Sequence, residues 1–396
     1  MKNILFITWE GPQTNYTEGL FLPIFNQIQK TSDYQFHIIQ FTWGSTKNQL
    51  KLKQKAESLN IFFTKHNVLR TPNVLIGSLL TIRKGIKFIE KYIAINTIDI
   101  VIPRSTMPSI MVNRIKDRKF KLIFDADGLP LEERVDFSGL SPDSFQYKFL
   151  RREETKMLLN ADFVLTRSKK AIKIHLSTIG EQHHEKFSVV TNGRDVNFFE
   201  PNNSYRNAVR KEINANDDTK IFVYSGSLGP QYGWNEMILI FEEFLKRNRN
   251  SKFLILSGNL EYALARIPDN LKEHFILRNV PFEEVPKFLS AADIAFAMRE
   301  PKYSMVGVAP IKIGEYLLMG IPIIASKGIG DSEKILKENP NCFLFKHKSD
   351  QSLEKSLIFV QNLDTTSREE IRAFGVDFFS LEKSALNYVE SLNLIQ

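Results

Sequence analysis

A chain of 396 residues, 43% hydrophobic and 25% charged, is long and apolar enough for two ordinary cores and lacks the composition of a disordered polymer. Its single cysteine, Cys342, excludes an intramolecular disulfide and suits a reducing compartment, and no apolar run approaches the roughly 18 residues of a membrane span. The formal charge of +8 is concentrated between Lys47 and Lys91, where ten Lys and Arg face only Glu57 and Glu90, so the rest of the chain is neutral overall.

Taken in chain order, Met1-Lys2-Asn3 leads directly into the apolar run Ile4 to Thr8, which reads as a first strand and not as a secretion signal. The following Gly11 to Leu20 lacks Gly-x-Gly-x-x-Gly, so dinucleotide binding by that fingerprint has no support. Further strands are predicted at 36–41, 98–102, 121–124, 163–166 and 187–190, then at 221–224, 253–256, 275–277, 294–296, 321–325 and 343–345. Helical stretches separate them, and such alternation builds doubly wound parallel sheets with crossover helices. The polar segment Asn192 to Thr219, with Asn-Gly, Glu-Pro-Asn-Asn and Asn-Asp-Asp, marks the boundary between two sheets.

Within the basic region, Lys84, Lys87 and Lys91 recur at helical spacing beside the stripe Ile82, Ile86, Ile89 and Ile93. Two readings stay open: a helix resting on anionic lipid, or a helix packed on the core with a solvated lysine face. No nucleic-acid motif accompanies the patch, so nucleic acid is not expected as a partner. The seven histidines form no metal constellation by spacing.

The densest signal is Glu300 to Asp331. Pro310 suits a helix start, Gly320 a helix stop, and Ile321 to Ala325 a buried parallel strand. A helix start carrying Lys312 is an anion site, because unpaired N–H groups, the dipole and a full charge converge on it. Glu315, about one turn on, can accept hydrogen bonds from a ribose; an ordinary solvent-facing ion pair with Lys312 is the competing reading. Ser304, Gly307 and Ala309 keep the preceding loop small, and Gly328-Ile-Gly330-Asp331 adds a glycine loop at the strand's carboxyl end, where open α/β sheets bind ligands.

At these residues the chain resembles the retaining GT-B glycosyltransferases of glycosyltransferase family 4 (group 1), in the branch with a Pro-x-Lys-x-Gly-Glu-Tyr element: Pro310, Lys312, Gly314, Glu315 and Tyr316 match it. The first of the family's two glutamates would fall at Gly307, and the resemblance leaves its sugar-contacting role to Ser304 and the backbone around Val306 to Val308. Val189 to Pro201 resembles the end of the family's first domain, and Tyr224 to Gly233 the glycine loop that approaches the donor diphosphate, with Gly226, Ser227 and Gly229 as donor contacts. Gln231, Tyr232 and Trp234 stand where many members carry Arg and Lys, so Lys312 is expected to supply most of the side-chain charge. Val280, Pro281 and Phe282 resemble the base-binding edge, Glu18 and Gly19 the acceptor-facing loop, and Asp125, Gly128, Glu132 and Glu133 an acidic element of the first domain with Asp127 in place of its Arg. Asp125 or Asp127 would orient the acceptor hydroxyl or touch the donor sugar; a GT-A metal Asp-x-Asp and a helix N-cap are the alternatives.

The resemblance implies an α/β chain of GT-B type, two Rossmann-like doubly wound parallel-sheet domains facing a cleft. Residues 1–195 form the acceptor-side domain, 196–218 a linker, 219–375 the nucleotide-sugar domain and 376–396 a C-terminal helix returning to the first domain. It further implies a metal-independent, cofactor-free transfer of a sugar from a nucleotide-diphosphate donor to a glycan or lipid-linked acceptor, with Asp125, Asp127 and Lys312 as catalytic candidates. The expected setting is cytoplasmic, peripheral on the inner face of a bacterial membrane through Lys84, Lys87 and Lys91, in capsule or O-antigen synthesis. A nucleotide-sugar epimerase, a polyol-phosphate transferase and a non-catalytic sugar-nucleotide or glycan-binding protein are the competing readings.

Overall fold

The computed structural model describes residues 1–12, 16–363 and 367–395, with the side chains of residues 46–48 excepted. Residues 13–15 of the Gly11 to Leu20 loop therefore lie outside it. The chain divides into two units, Met1–Gly193 with Leu381–Gln396, and Arg194–Ser380. Each is a wholly parallel sheet covered by helices, so the predicted pair of Rossmann-like domains is what forms.

The first unit has the strands β1 (Lys2–Glu10), β2 (Tyr34–Thr42), β3 (Phe62–Asn67), β4 (Ile100–Pro103), β5 (Lys121–Asp127), β6 (Phe163–Thr166) and β7 (Phe187–Val189). Their order is β3-β2-β1-β4-β5-β6-β7, which places the topological switch between β1 and β4. The central strands are continuous apolar runs because both faces are covered; Ile4, Leu5, Phe6 and Ile7 are fully buried. β3 is absent from the sequence prediction, since this edge strand is apolar only at Phe62 and Phe63 before turning polar at Thr64-Lys-His-Asn67. The isoleucine stripe 82, 86, 89, 93 lies on the helix Val74–Ile95 and packs on the core, while Lys84, Lys87 and Lys91 stay exposed. The core-packed reading of that stripe therefore holds, and the stripe itself is not available to lipid. The helix Leu381–Asn393 belongs to this unit, where Ser384 Oγ donates to the Thr191 carbonyl at 2.6 Å.

The second unit has β8 (Lys220–Ser225), β9 (Ser251–Leu256), β10 (Phe275–Arg278), β11 (Ile294–Ala297), β12 (Ile323–Ser326) and β13 (Cys342–Phe345) in the order β10-β9-β8-β11-β12-β13, with its switch between β8 and β11. β12 begins two residues later than predicted because Gly320 (φ +65°) and Pro322 form the turn out of the preceding helix. Residues 196–218, predicted as a linker, carry the helix Asn203–Glu212, whose Arg206 reaches Asp293 at 2.6 Å and whose Arg210 reaches it at 3.2 Å just ahead of β11.

Candidate functional site: a cation-rich switch point in the second unit

β8 ends at Ser225 and hands over to Gly226, whose φ of +132° only glycine adopts readily. The loop closes at Gly233, left-handed at φ +53°, where the helix Trp234–Arg247 starts. On the other side of the switch, β11 runs into Met298 and Arg299, the single 3₁₀ turn Tyr303–Gly307, and the helix Ile311–Leu318. Pro310 has an extended ψ of 115°, so it precedes the helix instead of occupying its first position. Lys312, in the first turn, lies against Gly226; a Cβ there would fall 1.8 Å from Lys312 Nζ. The glycine is therefore the space through which the lysine reaches the switch point.

Buried tyrosines hold the geometry. The Ser225 N–H donates to Tyr316 Oη at 2.8 Å, tying β8 to the Ile311–Leu318 helix. Tyr224 donates to the Ser227 carbonyl, and its ring lies 5.6 Å from Lys312 Nζ. Glu315 does not pair with Lys312 as in an ordinary helix. Its Oε1 meets Arg194 Nη2 at 3.0 Å, and both side chains are buried. Arg299, over the Tyr232 ring at 5.0 Å, is the third cation, and its N–H donates to Ser326 Oγ at 2.9 Å.

Burial pushes the Lys312 ammonium down to about 8; Glu315 opposes this, and Arg299 and Arg194 reinforce it. Three cations thus share the field of one carboxylate at a point where backbone N–H groups of a helix start and a glycine loop converge. Such a place is short of negative charge and suits an anion. Arg194 and Arg299 are the residues sequence reasoning missed. Arg194 follows Asn192-Gly193 and Arg299 comes two residues after the buried strand β11, but only the fold brings them to Lys312.

Of the other donor candidates, Gly226, Ser227 and Gly229 lie on the loop after β8, and Ser304, Gly307 and Val308 on the segment between β11 and the Lys312 helix, with Ser304 and Gly307 buried. Val280, Pro281 and Phe282 follow the edge strand β10; Phe282 stacks on Phe198 at 5.1 Å and packs on the core, leaving Pro281 exposed. Among the described residues Glu236, Glu300 and His347 also gather, with candidate ligand atoms within 4.8 Å of one another. His347 Nδ1 is 3.1 Å from Glu236 and 3.5 Å from Glu300, and its Nε2 is 2.8 Å from Ser326 Oγ. Sequence spacing could not reveal this group, because it takes three separate elements to bring the side chains together. Within it His347 lies against Glu236 and holds that carboxyl below its usual range.

Of the first-unit candidates, Asp125 and Asp127 form a separate cluster with Arg104 and Arg167. Asp125 is fully buried, with Arg167 Nη2 at 2.8 Å and Arg104 Nε at 3.7 Å. A bulge between Asp125 and Asp127, the latter at φ +62°, turns Asp127 outward to 34% exposure, where Arg104 Nη2 meets it at 2.6 Å. Asp125 is thus sealed between arginines, and of the pair only Asp127 reaches solvent. The two carboxylates are satisfied by arginines within a parallel sheet, so the GT-A metal reading falls, and so does the N-cap reading, because the helix Pro130–Ser138 starts at Leu129 without a side-chain cap bond. Burial raises Glu10 above its usual range, with Arg104 opposing. Glu132 is committed to Tyr147 at 2.7 Å and to Arg151, and Glu18 to Lys55 at 3.2 Å; Gly19 sits in the single-turn helix Thr17–Phe21.

The family model described as glycosyl transferases group 1 matches residues 206–375. No curated protein matches the chain in sequence. Among solved structures, Anabaena Alr3699/HepE in complex with UDP and glucose is similar at 16% identity and a TM-score of 0.70, covering 100% of both chains. A glycosyltransferase from Rickettsia africae is similar at 16% identity and a TM-score of 0.71, covering 100% of this chain and 98% of that one. The apo lipopolysaccharide outer core galactosyltransferase WaaB is similar at 14% identity and a TM-score of 0.67, covering 100% of both. At such identities the likeness carries the fold, which is that of GT-B glycosyltransferases.

Proposed function

We propose that the protein is a retaining glycosyltransferase of the family 4 branch, moving a sugar from a nucleotide-diphosphate donor to an acceptor hydroxyl. The observation that carries this is the three-to-one excess of cations at the β8/β11 switch, with Lys312 reaching through the space kept open by Gly226. Fixed dipoles and cations aimed at a leaving diphosphate stabilise its developing charge without reorganising. In this reading Lys312, Arg299 and the Gly226–Gly229 loop bind the diphosphate, and Glu315, held by Arg194, receives the ribose. Ser304, Gly307 and Val308 face the sugar, and Val280 to Phe282 the base. Asp127 is the first-unit group offered to the acceptor, and Glu18, Gly19 and Glu132 are the further acceptor-side candidates. The match of residues 206–375 to the group 1 model and the UDP complex of the Anabaena neighbour support a nucleotide-sugar donor.

Transfer proceeds without an obligatory metal, because the cations stand where a metal would neutralise phosphate. The acceptor is a lipid-linked glycan of bacterial surface polysaccharide synthesis, such as capsule or O-antigen. A panel of UDP-, GDP-, ADP-, dTDP- and CMP-sugars, incubated with and without EDTA and with bacterial lipid extract as acceptor, tests the reading. Expected is nucleotide release from one donor, acceptor-dependent, insensitive to EDTA and lost in Lys312→Ala. Release without acceptor consumption, or none from any donor, overturns it.

A further inference from the structure

The donor reading leaves the group Glu236, Glu300 and His347 unused. Its members come from separate elements: Glu236 from the first turn of the helix Trp234–Arg247, Glu300 from the chain leaving β11 and His347 from the chain leaving β13. Gly233, at the start of that helix, lets them meet, because a Cβ there would fall 3.0 Å from Met298 Cβ and 3.5 Å from His347 Cε1. A carboxylate in a first turn is ordinary, since the helix dipole favours it. That accounts for Glu236 and does not account for a second carboxylate and a buried imidazole nitrogen converging on it.

The hydrogen bonds around Ser326 decide what the imidazole presents. Ser326 Oγ has one proton, which it donates to Met298 Sδ at 3.7 Å, and it accepts from the Arg299 N–H at 2.9 Å. Its 2.8 Å contact with His347 Nε2 is then one in which the ring donates. Assigned this way, the neutral ring carries its proton on Nε2 and a lone pair on Nδ1. The His347 side chain is only 5% exposed, and Nδ1 lies 3.1 Å from Glu236 Oε1 and 3.5 Å from Glu300 Oε2. Nδ1 is at hydrogen-bonding distance of Glu236 without the direction of a hydrogen bond, and it has no other partner. A lone pair and two carboxylates at these distances repel one another unless a cation lies among them. An imidazole whose far N–H is held by an oxygen is also the ordinary state of a metal-binding histidine.

We propose that Glu236, Glu300 and His347 form a divalent-metal site of the Zn²⁺ class, a clasp joining the helix Trp234–Arg247 to the chain leaving β11 and β13. On a tetrahedral ion with bonds of about 2.0–2.1 Å, ligand atoms lie about 3.3–3.4 Å apart, between the two separations around Nδ1. The charge of the ion cancels that of the two carboxylates, and Lys348, the other cation acting on Glu236, is exposed. Glu300 is 28% exposed, so water reaches the group from that side to supply the fourth ligand. A shell with an imidazole nitrogen suits Zn²⁺ over Mg²⁺ and Ca²⁺, which take oxygen. The site shares no ligand with the residues proposed for the diphosphate. The inference is independent of that reading, since metal uptake reports neither nucleotide nor turnover. The competing arrangement puts a proton on Nδ1, facing the carboxylates, and takes up no metal.

Zn²⁺ titration of the full chain, stripped with EDTA and dialysed free of it, in competition with a chromophoric chelator, tests the proposal. Expected is a single ion per chain, not displaced by excess Mg²⁺ or Ca²⁺, and a Co²⁺ form with the visible absorption of a tetrahedral site. His347→Ala and Glu300→Gln each lower the affinity roughly a hundredfold or more, and Ser326→Ala about tenfold to a hundredfold through loss of the ring's orientation. His184→Ala, which removes an exposed histidine beside Glu185, leaves it within about twofold. As a check independent of variants, two-bond ¹H–¹⁵N NMR of the unaltered protein reads His347 as protonated on Nε2 and metal-bound at Nδ1 once Zn²⁺ is added. Absence of uptake, uptake indifferent to both His347→Ala and Glu300→Gln, or an Nδ1 that carries a proton with Zn²⁺ present overturns the proposal.

Discussion

The two switch points carry similar residues in opposite states of charge. In the first unit Arg104 and Arg167 face Asp125, Asp127 and Glu10, and burial drives Glu10 toward its neutral form, so the cluster is close to balance without any ligand. In the second, Arg194 meets Glu315, and Lys312, with Glu315 opposing and Arg299 and Arg194 reinforcing the effect of burial, is left with a depressed pKa. Buried charges in themselves do not mark a site. In the first cluster opposite charges meet one another, whereas in the second a buried cation is left in the field of two others, the arrangement that suits an anionic ligand.

Replacement of Asp125 should give the largest effect. Asp125→Ala leaves Arg167 buried without its closest anion and should cost about 3–5 kcal/mol in urea unfolding; a loss under 1 kcal/mol would break the view of the first cluster as a balanced structural one. Lys312→Met makes the opposite case. Removing an uncompensated buried ammonium should leave urea stability unchanged or raised, while nucleoside-diphosphate affinity by calorimetry falls by about 2 kcal/mol, roughly thirtyfold. A destabilised variant with intact affinity would reverse the roles of the two clusters.

Gly226→Ala should lower the same affinity about tenfold and cost ~1–3 kcal/mol of stability, because φ +132° strains any side chain there and the Cβ displaces Lys312. If affinity is unchanged, Lys312 reaches the ligand by another route.

The mildest effect is with pH. Free Lys312 titrates at about 8 and a bound diphosphate holds its proton, so affinity should be full below that pH and fall by at most about tenfold per unit above it. In the empty protein the sign is reversed for stability. A lysine depressed from 10.5 to about 8 penalises the fold below pH 8, and the penalty is relieved as pH rises through that window. Isothermal titrations of ligand and urea unfolding of the empty protein, each from pH 7 to pH 9.5, check the two, with Lys312→Met expected to lack this titration in both.

Periodicity alone was enough to find every central strand, because a strand buried on both faces must be a continuous apolar run; the edge strand Phe62–Asn67 escaped because it is half solvated. The Pro310 to Gly320 helix was legible from its punctuation, proline before and glycine after, and Lys312 from its place in that helix. The outward face of Val74–Ile95 was harder to read, since its Leu75 and Leu79 share the sequence with a core-facing isoleucine stripe, and composition does not say which apolar residues the core will use.

The sequence by itself determined the class of fold, the helix start that presents Lys312 and the excess of basic residues between Lys47 and Lys91, because these depend on local propensity, spacing and counting. Only the tertiary structure decided that Glu315 takes Arg194, that Arg299 joins Lys312, that Asp125 is sealed between arginines, and that leucines stay in water at the tip of a basic helix. Those are contacts between residues distant in the chain, set by strand order and the fit of side chains, and no local pattern encodes them.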